Sequence, residues 1–142
     1  MNKEKMTVLK VFPGKRPETV VLPDTLEDLQ KAVGGYIEVI HPFDDSACII
    51  CNEEGKLNGL PMNRALTDDS GKITDIIAGA FLVAGVSDEG FSSLSAEQIR
   101  KYSDMYAKPQ LFFRQGGRIL VYSQETEFRR MPKPIRAKEE VR

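Results

Sequence analysis

Six polar residues between positions 52 and 64 are the strongest candidates for chemistry in this chain: Asn52, Glu53, Glu54, Asn58, Asn63 and Arg64. Carboxamide, carboxylate and guanidinium groups suit hydrogen-bond recognition of a small polar ligand or of a partner's backbone. Two successive turns followed by Pro61 could gather these groups on one rim. The competing interpretation is that the asparagines and glycines only form the turns, while the glutamates keep them solvated.

Glu53 and Glu54 could instead be paired carboxylates for metal binding or acid–base catalysis, with Arg64 as a third participant. Neighbouring residues in a turn rarely converge on one ligand, and no histidine or third acid follows at ligand spacing. The sequence also has neither a phosphate-binding glycine-rich loop nor a serine or cysteine nucleophile signature. A small-molecule enzyme therefore stays an alternative, and no catalytic residue, metal or cofactor is predicted.

The two cysteines, Cys48 and Cys51, lie in the apolar run ACIIC. A CxxC pair is a redox or metal half-site when it opens a helix or when a second ligand pair accompanies it. This run has the composition of a strand, in which positions three apart point to opposite faces. The only histidine is His41. We expect both cysteines to be buried and unreactive.

The charge of the chain is unevenly distributed, although its net value is only −1. Residues 129–142 carry six basic and two acidic side chains, which gives +4 there and leaves −5 for the rest. A basic segment of this kind can contact phosphate backbones, but a solvated chain end is the commoner explanation. The nucleic-acid candidates in it are Arg129, Arg130, Lys133 and Arg136.

Length and composition indicate an ordinary globular protein. The chain has 142 residues, of which 41% are hydrophobic and 29% charged, and these values are not those of a disordered chain. No apolar run approaches the roughly 20 residues that span a bilayer, and the N-terminus lacks the pattern of a secretion signal. We therefore expect a cytoplasmic protein without membrane contact.

Turn signals and hydrophobic periodicity predict many strands and two short helices. The strands are expected at residues 7–12, 18–23, 36–40, 47–51, 110–114 and 118–122, with one long central strand at 73–86 that contains Gly79. Asp24 and Glu27 would cap the first helix, which ends at Gly34. Ser95 and Gln98 form the capping box of the second. Residues 56–57 would lead back along the sheet, and residues 61–66 fit either a helical turn or an ordered loop.

These elements do not alternate as in a doubly wound fold, so the predicted class is α+β. We expect a mostly antiparallel sheet with two modest helices on one face. Residues 1–125 would form a single domain, and residues 126–142 a basic, flexible tail.

Several segments together resemble one protein family: VGGYIEVI, HPFDD, CNEEGK, GLPMNRAL, DIIAGAFLV and SLSAEQIRKY. The sequence resembles domain of unknown function 3846, a family of bacteria and phages, from VLKVFPGK to GGRILVY. The resemblance implies a habitat in phages and in conjugative or integrative elements of Gram-positive bacteria, beside antirestriction and replication genes. It brings no activity, cofactor or active site, and a habitat is weaker evidence than a site.

The leading prediction is a non-catalytic accessory protein of a phage or mobile element that binds a host protein or a small ligand. Counter-defence is one specific version of it. The first alternative is a regulatory protein that binds nucleic acid through the basic tail. The second is the small-molecule enzyme that would use Glu53, Glu54 and Arg64.

Overall fold

The computed structural model of the protein describes residues 4–124. In that range lie two helices and ten strands: β1 (Lys5–Val11), β2 (Glu18–Pro23), α1 (Leu26–Val33), β3 (Ile37–Ile40), β4 (Ala47–Asn52), β5 (Met62–Thr67), β6 (Ile73–Ala78), β7 (Phe81–Ser87), β8 (Gly90–Ser92), α2 (Ala96–Met105), β9 (Gln110–Gln115) and β10 (Arg118–Ser123). The central sheet has the order β2-β1-β7-β4-β3, and β8 also pairs with β7. All its pairings are antiparallel. The α+β class with mostly antiparallel sheets is confirmed.

Alternate residues of the central strands enter two separate clusters of buried side chains, one on each face of the sheet. Leu29 and Val33 of α1 pack with Cys48 in one cluster, whereas Tyr102 of α2 packs with Ile49 in the other. The two helices therefore cover opposite faces, and the expectation that both lie on one face is wrong. Every residue of β4 is buried, so this sheet needs a cover on each side.

The apolar run at residues 73–86 forms two strands, so the expectation of one long strand is wrong. The chain reverses at Gly79, where φ is +84°, and then enters the central sheet as β7. A Cβ added at Gly79 would lie 2.7 Å from Cδ1 of Leu60, so the side chain of Leu60 packs closely against the reversal. Both strands contribute buried apolar residues at the reversal, which hides it in the sequence pattern.

Residues 53–59 are a succession of turns, so residues 56–57 do not lead back along the sheet as expected. Leu57 is 85% exposed. The next residues form β5, which pairs antiparallel with β6, and the expectation of a helical turn or loop there is wrong. The strand forms because its partner follows directly in the chain, beyond the turn at residues 68–71.

The ends of both helices follow local chemistry. Ser95 and Gln98 make the expected capping box of α2. The cap of α1 is Thr25 rather than Asp24, because the Thr25 hydroxyl accepts a hydrogen bond from the Asp28 N–H at 3.0 Å. Gly34 ends α1 as expected.

Two hairpins complete the described part of the chain, β5–β6 and the expected β9–β10. They meet where the Ala65 N–H donates to Oε1 of Gln110 at 2.8 Å. Within residues 4–124, neither helix is long and apolar enough to cross a membrane.

Candidate functional site

Asn52, at the end of β4, holds the end of α1 against the central sheet. Its Nδ2 donates to the Val33 carbonyl at 3.1 Å, and its Oδ1 accepts from the Glu54 N–H at 2.8 Å. A Cβ at Gly35 would lie 2.8 Å from Nδ2, so only glycine leaves room for this amide. Both polar atoms of the Asn52 carboxamide therefore form hydrogen bonds within the protein. These bonds hold the neighbouring residues in position.

These neighbours line a small depression that we call the Asn52 notch. It has a volume of about 270 Å³ and is lined by Gln30, Gly35, Tyr36, Asn52, Glu54 and Asn58. Tyr36 is 69% exposed. Within the described residues, the side chains of Gln30, Glu54 and Asn58 make no hydrogen bond. The notch therefore combines an exposed aromatic ring with uncommitted donors and acceptors, which is the chemistry of polar recognition.

Glu53 lies beside the notch rather than in it. Its N–H donates to the Tyr36 carbonyl at 2.8 Å, and its side chain lines an adjoining depression with Glu38 and Lys56. Arg64 lines neither depression, so the structure does not bring it together with the two glutamates.

Asn63 and Arg64 are buried in the protein instead of lying on the predicted rim. Asn63 Nδ2 donates to the carbonyls of Val11 and Gly79, each at 2.9 Å, and its Oδ1 accepts from Arg64 Nη1 at 2.8 Å. Asn63 thereby ties β5 to the end of β1 and to the reversal between β6 and β7. Of the six predicted residues, Asn52, Glu54 and Asn58 come together, and these two do not join them.

Arg64 is a buried cation whose partners are uncharged oxygen atoms. Its Nη2 donates to the carbonyls of Lys15, at 2.6 Å, and of Tyr106, at 2.8 Å. Its Nε has no partner among the described residues. Burial lowers the pKa of Arg64 to about 10, so the side chain is still charged at neutral pH. The Tyr106 carbonyl closes the C-terminal end of α2, where a positive charge is favourable.

Sequence reasoning missed a polar network between Asp45 and α2. The Tyr102 hydroxyl donates to Asp45 Oδ2 at 2.7 Å, and Lys101 Nζ lies 3.6 Å from the same oxygen. The hydrogen bond from Tyr102, followed by that from the Ser46 N–H, lowers the pKa of Asp45. The only available signal was the pair Asp44-Asp45, which looks like an ordinary solvated turn.

Three further predictions concern the cysteines, metal binding and the basic candidates for nucleic-acid contact. Cys48 and Cys51 are buried, and burial raises the pKa of each thiol to about 11, which makes them poor nucleophiles at neutral pH. Among residues 4–124, no three His, Cys, Asp or Glu side chains group as metal ligands. The nucleic-acid candidates Arg129, Arg130, Lys133 and Arg136 lie outside the described residues.

The tyrosines of α2 give a first prediction, on alkaline stability. Burial raises the pKa of Tyr106 to about 12, and burial together with the Asp45 hydrogen bond raises that of Tyr102. A folded-state pKa above the unfolded value contributes stability that is complete below pH 10 and is lost as pH rises toward about 12. Burial lowers the pKa of Arg64, so the loss of its proton at high pH favours the folded state. This single group opposes the effect of two tyrosines.

The measurement is tyrosinate absorbance and circular dichroism, recorded together as the pH rises. We expect two of the four tyrosines to ionise late and together with the loss of helix signal. The variant Tyr106→Phe should ionise one late tyrosine fewer. Full ionisation of all four tyrosines while the helix signal is still intact would contradict the prediction.

Comparison with known proteins gives one match. Residues 6–107 match the family model described as Domain of unknown function (DUF3846). The match includes the Asn52 notch and all of the central sheet except Lys5, and it ends before β9 and β10. No curated protein and no solved structure matches the chain significantly.

Proposed function

We propose, from the premise that this chain belongs to the family of the domain of unknown function DUF3846, that it is a non-catalytic binding protein. In this proposal the Asn52 notch recognises a small polar ligand or a segment of a host protein. The observation that carries it is the contrast between Asn52, whose amide is committed to the fold, and the uncommitted polar groups that it positions around Tyr36.

Recognition fits the notch better than catalysis does. Its polar side chains are carboxamides, one carboxylate and a phenol, and none is paired with a second group that could shuttle a proton. The arginine that an enzyme would need beside Glu53 and Glu54 is buried elsewhere, under hydrogen bonds to backbone carbonyls. Hydrogen bonding around an exposed aromatic ring is common in binding surfaces.

We further propose that the binding serves a phage or another mobile element, with counter-defence as the specific version. The support for this is the resemblance in sequence, which implies such a habitat. Expression of the chain in a host with defined defence systems tests it, and we expect improved survival of phage or plasmid against at least one system. Unaltered survival across the panel would remove the counter-defence role and leave the binding proposal standing.

Native mass spectrometry of protein purified from its own host tests the binding proposal. We expect a co-purifying ligand or protein, and we expect Tyr36→Ala to reduce its affinity by about tenfold or more, because aromatic anchors carry much of the energy of such sites. Asp88→Asn, in the exposed turn between β7 and β8, is the matched control and should retain the ligand.

Equal retention by both variants would exclude the notch as the site. Recovery of nucleic acid would instead favour the alternative that rests on the uneven charge distribution, with +4 in residues 129–142. Such binding should weaken steeply with salt and disappear when those residues are deleted.

A further inference from the structure

A second cleft lies on the opposite side of the central sheet from α1, between α2, the loop after β3 and the hairpin β5–β6. We call it the α2 cleft. Its volume is about 440 Å³, within the range of small-molecule sites. It shares no lining residue with the Asn52 notch, so the two sites are built from different side chains.

The lining of the cleft is mixed, and Phe43 and Met105 supply an apolar part of it. The rings of Phe43 and Tyr102 lie with their centroids 4.4 Å apart, and Met105 beside them is 51% exposed. Tyr102 is held in place by its hydrogen bond to Asp45. Phe43 therefore rests on a buried ring that is fixed before a ligand arrives, which lowers the entropic cost of binding an apolar group.

Charges of opposite sign line different walls of the cleft. Lys101 and Lys108 come from α2 and the residues that follow it, whereas Asp44 and Asp69 come from the loop and from the β5–β6 turn. Lys101 Nζ also lies 3.6 Å from Asp45, in an ion pair that is half exposed on the lysine side and that a ligand carboxylate would share. Asp68 also lines the cleft, but its carboxylate accepts hydrogen bonds from Ser70 and Lys72 within the turn. Asp44 and Asp69 make no hydrogen bond or ion pair with any described residue, which leaves two carboxylates for a ligand.

Arg64, on β5, places a further positive charge where the hairpin meets the end of α2. Arg64 lines the cleft and has no carboxylate partner among the described residues, so its charge is not neutralised locally. A buried cation acts at longer range than an exposed one because solvent screens it less. The cleft therefore carries more positive charge than the exposed lysines alone supply.

We propose that the α2 cleft binds a small zwitterion with an apolar or aromatic side chain, of the α-amino-acid class. The ligand's carboxylate faces Lys101, its ammonium group faces Asp44 and Asp69, and its side chain packs on Phe43 and Met105. A nucleoside monophosphate fits these charges less well, because it has no ammonium group to face Asp44 and Asp69.

Binding of L-phenylalanine, L-methionine and L-leucine to the full chain, measured by calorimetry, tests the proposal. We expect saturable binding of at least one of them at about millimolar concentration or tighter. N-acetyl-L-phenylalanine lacks the ammonium group and L-phenylalaninamide lacks the carboxylate, and each should bind about fivefold or more weakly than L-phenylalanine.

Exposed variants separate this site from the fold and from the notch. Lys101→Gln and Asp69→Asn should each weaken binding about fivefold, whereas Asp88→Asn and Tyr36→Ala should leave it unchanged. The proposal is overturned if none of the three amino acids binds, if both blocked analogues bind as tightly as L-phenylalanine, or if a nucleoside monophosphate binds and the amino acids do not. Any of these results leaves the proposed role of the notch intact.

Discussion

Replacement of Arg64 with alanine should lower the free energy of unfolding by about 3–5 kcal/mol. The side chain is 1% exposed and is among the largest of those that are fully buried. Its removal opens a cavity and takes the donor from the carbonyls of Lys15 and Tyr106, and each buried acceptor left without a donor costs about 1–3 kcal/mol. The measurement is equilibrium denaturation in urea, monitored by circular dichroism.

The geometry explains why one residue has so large an effect. Arg64 on β5 reaches the turn between β1 and β2 through Lys15, and it reaches the end of α2 through Tyr106. Three parts of the chain that are distant in sequence are therefore joined by one planar group. A lysine has a single nitrogen at its end and cannot span both carbonyls in this way. We therefore expect Arg64→Lys to lose less stability than Arg64→Ala but to remain less stable than the unchanged protein.

Arg100→Ala is the matched control, because Arg100 is exposed on α2 and the substitution is the same. Its effect should be within about 0.5 kcal/mol of zero. If Arg64→Ala also stays within about 1 kcal/mol of the unchanged protein, then the buried guanidinium contributes little net stability, as has been found for some buried charged groups.

Local chemistry in the sequence predicted most of the elements. The capping box of Ser95 and Gln98 and the glycine that ends α1 are fixed by neighbouring residues, so they could be recognised without the fold. The hairpin β9–β10 could likewise be recognised from neighbouring residues alone. These elements could be recognised because the residues that fix them are neighbours in the sequence, although the equally local hairpin β5–β6 was missed.

What the sequence left open depends on contacts between distant residues. The side of the sheet that each helix covers is set by the path of the connections, and the reversal at Gly79 is masked because both flanking strands are buried there. Half of the notch was predictable, since Asn52 ends β4 and Glu54 and Asn58 lie in the turns that follow it directly. Tyr36 and Gln30 join them only through the packing of α1 on β4.

Asn63 and Arg64 show most clearly where prediction from the sequence fails. An asparagine and an arginine beside a proline and two turns have the composition of a surface, so the sequence alone favours an exposed rim. The structure instead directs their donors to backbone carbonyls at Val11, Gly79, Lys15 and Tyr106. Buried carbonyls need donors, but a sequence does not show which carbonyls lack them.

Replacement of Asn63 with alanine should lower the free energy of unfolding by about 2–4 kcal/mol. Asn63 is fully buried, and its loss leaves the carbonyls of Val11 and Gly79 without their donor and removes an acceptor from Arg64 Nη1. Asn58→Ala is the matched control, because Asn58 is exposed in the notch, and its effect should be within about 0.5 kcal/mol of zero. Urea denaturation of both variants gives the comparison.

The double variant tests whether Asn63 and Arg64 act as one unit. Their side chains share a hydrogen bond of 2.8 Å, and residues in one network usually show coupling energies of about 0.5–3 kcal/mol. We therefore expect the double variant to lose less stability than the two single losses added together, because the second substitution removes a group that the first has already deprived of a partner. Strict additivity would mean that each side chain stabilises the fold through its backbone carbonyls alone.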